Sequence, residues 1–172
     1  MAEGLERAGT SISTRPADFV DVRDLKLERR GLMFDDYFDG GEVRPEFSKA
    51  YVSLWSGWLG KDNLHLLDGV GEEEWSRFNA LIAAISTDFR VGIARRDPGV
   101  VEFPAKIQSV LSRYEEAMEK DESQFSTFVI PQLHCLITEA WDYTYVIWHR
   151  NDGAMDALKP YIADARLHHF SD

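Results

Sequence analysis

The chain has 172 residues, with 30 Asp and Glu against 19 Lys and Arg, a formal charge of −11 and a pI near 4.9. That length suits one domain with its own core, and that charge disfavours phosphate backbones and anionic membranes, which need clustered cations. Cys135 is the lone cysteine, so no intramolecular disulfide forms; with no signal-peptide pattern and no apolar run near the ~20 residues of a membrane span, a reducing, cytoplasmic location is expected.

Residues 1–16 mix Gly, Ser, Thr and charge without periodicity and read as a mobile leader before a single domain over 17–172. From Asp18 to Arg30 a helix is favoured, with Asp18 as cap and Gly31 as terminator, although partial alternation over Phe19–Leu27 leaves a strand open. Asp35–Arg44 contains Gly40-Gly41 and reads as a loop. Pro45 fits a first helical position. Phe47, Tyr51, Leu54, Trp55 and Trp58 then recur at helical spacing and predict a helix that Gly60 closes. A connection over 61–71 holds Leu64, Leu66 and Leu67.

Glu72–Glu74 suit a helix N-terminus, and Trp75, Phe78, Ile82 and Ile85 continue that helix on one face. Phe89–Ile93 alternates as a short strand, and Asp97-Pro98-Gly99 is a turn. Pro104 opens a further helix bearing Ile107, Val110, Leu111, Tyr114 and Met118, which Lys120–Ser123 ends. Phe125–Ile130, Leu133–Thr138 and Trp141–His149 are rich in strand formers. The last of these is bulky on both faces, which predicts a central strand. Asp152 caps a closing helix with Met155, Leu158 and Ile162, in which Pro160 should cause a kink or a break. Leu167–Phe170 forms an edge strand. The expected fold is α+β: a helix-rich N-terminal two-thirds packed on a small, mainly antiparallel sheet built from the C-terminal third.

The pattern carries little catalytic chemistry. Neither His-Glu-x-x-His nor Cys-x-x-Cys occurs, so no metal is expected among His65, His134, His149, His168 and His169. Pairing of their strands would bring His149 and His169 together. Gly-x-Ser-x-Gly and the glycine-rich phosphate loops are missing too, and no cofactor is expected. Cys135 reads as a small apolar sheet residue rather than a nucleophile. Asp35, Asp36, Asp39 and Glu42 lack the alternate-ligand order of a calcium loop. Asp142, between Trp141 and Tyr143 in the expected strand, must find partners or face water.

Charge is unevenly spread. Residues 31–75 hold ten carboxylates and three cations, which supply seven of the eleven net charges, with eight aromatic residues threaded among them. The run Phe34-Asp35-Asp36-Tyr37-Phe38-Asp39 and the segment Trp141–Trp148 resemble bacterial toxin-immunity proteins in character. That resemblance implies a protein inhibitor whose acidic, aromatic face covers the basic active site of a toxin domain. The contact residues expected are Asp35, Asp36, Tyr37, Asp39 and Glu42, with Trp58 as anchor. The partner expected is a basic protein, not nucleic acid or membrane; the oligomeric state stays open. Two alternatives share the sequence. One is a phage-type inhibitor whose carboxylates mimic a phosphate backbone. The other is a small cofactor-free enzyme with Asp142, His149 and Tyr143 or Tyr145 in one pocket. Binding is favoured over catalysis.

Overall fold

A computed structural model describes residues 34–171; the leader and the 18–30 segment lie outside the described residues. Helix α1, Glu72–Asp88, begins where three glutamates meet the positive end of the helix dipole. The Glu74 carboxylate accepts the Gly71 N–H at 3.1 Å, and that bond holds its pKa below the usual range. Trp75, Phe78, Leu81, Ile82 and Ile85 are its buried stripe. Helix α2 is a single short element, Tyr114–Met118. Helix α3, Asp152–Asp164, is capped by the Asn151 side chain, which accepts the Ala154 N–H, rather than by Asp152. It runs through Pro160 without the expected break and buries Met155, Leu158 and Ile162.

The strands are β1 Phe38–Asp39, β2 Glu42–Val43, β3 Ser48–Ser53, β4 Gly92–Arg95, β5 Val100–Glu102, β6 Thr127–Ile130, β7 Cys135–Ala140, β8 Thr144–His149 and β9 His168–Phe170. The last seven form one antiparallel sheet in the order β5-β4-β6-β7-β8-β3-β9. This overturns the expected architecture. The sheet is large rather than small, its strands start at Ser48, and long helices are few. The expected helix over 47–58 is instead β3 followed by bends, paired on both sides by β8 and β9. The helix expected from Pro104 to Met118 is broken into a 3-10 turn, Ile107–Val110, and α2. Trp75 Nε1 and Asn79 Nδ2 each donate to the Ser112 carbonyl at 2.9 Å, so tertiary bonds to α1 take the place of helical ones there.

Alternation sorts the sheet into two faces. Ala50, Val52, Ile93, Phe128, Ile130, Cys135, Ile137, Tyr145 and Ile147 share a core with α1 and α3. Val129, Leu136 and, partly buried, Ala94, Val101 and Trp148 form the other face. On that face sits the β1–β2 hairpin, through Phe34, Tyr37, Phe38 and Phe47. Gly40 and Gly41, at φ 58 and 91, make its two-residue turn, which needs left-handed backbone at both positions.

Gly92, buried in β4, has no room for a side chain. A Cβ there would lie 2.7 Å from Val101 Cγ1 and 2.8 Å from Phe103 Cε1. Gly92→Ala is expected to cost about 1–3 kcal/mol in a denaturant titration, the usual range for overpacking. A midpoint equal to wild type would show that the Phe103 ring swings clear.

Candidate protein-docking surface

The hairpin holds four of the carboxylates that the sequence singles out. Asp35 and Asp36 lie in a 3-10 turn, Phe34–Asp36, while Asp39 and Glu42 flank the Gly-Gly turn. All four are exposed, and none forms a side-chain ion pair among the described residues. The nearby cations are engaged elsewhere. Arg44 pairs with Glu46 at 2.7 Å and donates to the Asp35 carbonyl at 3.3 Å. Arg150 donates to the Asp36 carbonyl at 2.9 Å, pairs with Glu46 at 3.1 Å and stacks 4.7 Å over Phe47. These arginines fasten the hairpin backbone and leave its outer carboxylates to solvent. Beneath them the Phe34 and Phe38 rings stack at 4.2 Å.

Tyr37 is part of that support rather than a contact residue. It is 2% exposed, and burial pushes its hydroxyl up to about 12. Trp58 is 59% exposed and sits edge-on to Tyr51 at 4.7 Å and Phe170 at 5.1 Å. Tyr51 and Phe170 pair across β3 and β9 in the alternation set of Trp148, so Trp58 and the hairpin share one face of the sheet. Glu72, Glu73 and Glu74 head α1, which covers the opposite face. The carboxylate-rich stretch is therefore divided between two sides of the sheet.

Beside the hairpin runs a groove of about 760 Å³ whose lining includes Glu42, Val43, Thr138, Trp141, Val146 and Trp148. Trp148 is held by an Nε1–H bond to Thr138 Oγ1 at 3.0 Å and by Lys49 Nζ 4.5 Å over its ring.

The residues of the enzymatic alternative do not converge. Asp142 lies in the turn before β8 rather than inside a strand, while His149 ends that strand, roughly 20 Å away at the usual rise per residue. Asp142 lines cavities of about 220 and 270 Å³; His149 lines a different one of about 360 Å³. His149 is buried with Nδ1 2.9 Å from the Asn151 carbonyl. The Tyr143 hydroxyl donates to Met118 Sδ, and Tyr145 is fully buried with its pKa raised by that burial. His149 and His169 belong to strands that β3 separates, and both line the cavity of about 360 Å³. Cys135 is buried, which pushes its thiol up to about 12 and leaves it without thiolate at neutral pH. Among the described residues no group of three or more His, Cys, Asp or Glu is placed to hold a metal ion, and no helix is long and apolar enough to cross a membrane.

One polar pair escaped the sequence reading. Lys120 and Glu139 form a buried salt bridge at 2.7 Å, 19 residues apart in the chain and with no spacing that announces it. No protein-family model, curated protein or solved structure matches the chain.

Proposed function

We propose that this chain is a protein-binding module that docks its acidic hairpin on a basic surface of a partner, as an immunity-type inhibitor would cover a cationic active site. The observation that carries this reading is the set of four exposed carboxylates, Asp35, Asp36, Asp39 and Glu42, without ion pairs among the described residues on a braced aromatic base. Exposed charge without direct ion pairs on a fixed scaffold steers encounter with the opposite charge. Trp58 supplies an exposed aromatic anchor on the same face, where a desolvated ring slows release.

The test reverses Asp35, Asp36 and Asp39 to Lys. Basic proteins captured from the native cell by the wild-type chain are identified, and association is then followed with the purified partner at low and high salt. The variant should fold normally and associate at least about tenfold more slowly at low salt, with the difference shrinking as salt screens the field. Equal rates at low salt would rule out the hairpin as the docking element.

A further inference from the structure

Asp142 and its neighbours build a second feature. Asp142 and Tyr143 adopt φ 59 and 51, two consecutive non-glycine residues in left-handed backbone, and so shape the turn between β7 and β8. Beneath this turn lies a cavity of about 220 Å³ walled by Trp75, Met118, Phe125, Trp141 and Tyr143. Drug-sized ligands need roughly 300–1,000 Å³, so this cavity suits one side chain rather than a cofactor. Trp141 is 59% exposed and meets Phe125 edge-to-face at 4.8 Å, leaving aromatic surface open to an incoming group.

The polar groups of the cavity decide the sign of that group. The Lys120 ammonium has Ser126 Oγ, Glu139 Oε1 and Glu139 Oε2 at 3.2, 3.0 and 2.7 Å. Its three donors are used, so it offers nothing to an anion, and with Glu139 it forms a neutral pair. The charge left over is the Asp142 carboxylate, which is exposed and makes no side-chain hydrogen bond or ion pair among the described residues. Aromatic faces beside an uncompensated carboxylate attract a cation, through the ring quadrupole and through direct charge pairing. Trp141 also lines the groove beside Glu42, so groove and cavity share a wall at the β7–β8 end of the sheet, the groove on the hairpin face and the cavity on the α1 face.

We infer that this cavity is the anchor pocket for an arginine or lysine side chain of the basic partner; the inference rests on the docking reading above and names a recognition element for it. Nothing covalent is involved. The decisive experiment is an NMR titration of the full-length, nitrogen-labelled chain with N-acetylarginine amide. The control probe is the neutral isostere N-acetylcitrulline amide at matched ionic strength. The arginine probe should move the Trp141 indole and Asp142 amide peaks saturably, and the citrulline probe should not. Asp142→Asn keeps a residue type that tolerates left-handed backbone; it and Trp141→Ala should each weaken binding by about threefold or more, within the range for a cation–aromatic contact. Equal movement with both probes, or no saturable movement at the turn, overturns the pocket. If only hairpin amides move, the pocket is overturned while the docking reading stands; that reading falls only with the lysine reversals.

Discussion

Glu139→Ala is expected to lower stability by about 3–5 kcal/mol, the range for removing one partner of a buried ion pair. Lys120 and Glu139 retain 13% and 6% of their side-chain exposure, so the ammonium left behind would keep only the water that reaches it through the cavity it lines. The deletion also strips the Ser126 N–H of its acceptor, since Glu139 Oε2 takes that bond as well as the Lys120 contact. Urea denaturation of Glu139→Ala measures the cost. The double variant Lys120→Met/Glu139→Leu separates the causes, because removing both charges should recover most of the loss. A Glu139→Ala cost under about 1 kcal/mol would mean the pair behaves like an exposed one.

Phe78→Ala should be equally severe, at about 3–5 kcal/mol, from lost transfer energy and the cavity left behind. Phe78 is wholly buried in α1, with ring centroids 5.6 Å from Trp75 and 4.9 Å from Tyr145. It joins the helix to the central strand β8, and the rigid strands around it cannot collapse inward to fill the gap. Phe78→Leu retains most of the volume and should cost clearly less. The comparison of the two denaturation midpoints checks the assignment; equal midpoints would place Phe78 outside the packed core.

Elements whose contrast is one-sided were legible in the sequence. The α1 stripe and the closing helix each have one apolar face against solvent, and both lie where their spacing puts them. The central place of β8 and the edge place of β9 also follow from bulk on both faces and from a short terminal run. β3 was misread for a physical reason. Ala50 and Val52 face the helices while Tyr51, on the other side with Lys49, meets Trp58 and Phe170, so aromatic contacts on that side blur the alternation. Aromatic residues on and after the strand then mimic a helical stripe. Asp142 was hidden by its neighbours, because Trp141 and Tyr143 are strong strand formers while the backbone at 142–143 turns left-handed. Of the candidate contact residues, Asp39 and Glu42 flank the two-residue turn and Asp35 and Asp36 lie in the 3-10 turn, which leaves all four facing solvent, whereas Tyr37 packs inward beside Phe38. The second acidic run, at 72–74, heads a helix as its charge suggests, but charge alone could not tell that this helix covers the far face.

The placement of β3 has a consequence for synthesis. Its two neighbours are β8 and β9, with Ser48 opposite His149 and Tyr51 opposite Phe170. β3 therefore waits with both edges bare until β8 and then β9 have followed it out of the ribosome. Such distant pairing slows folding and exposes an apolar strand in the meantime. Nascent chains stalled before β8 should be the ones that chaperones hold longest.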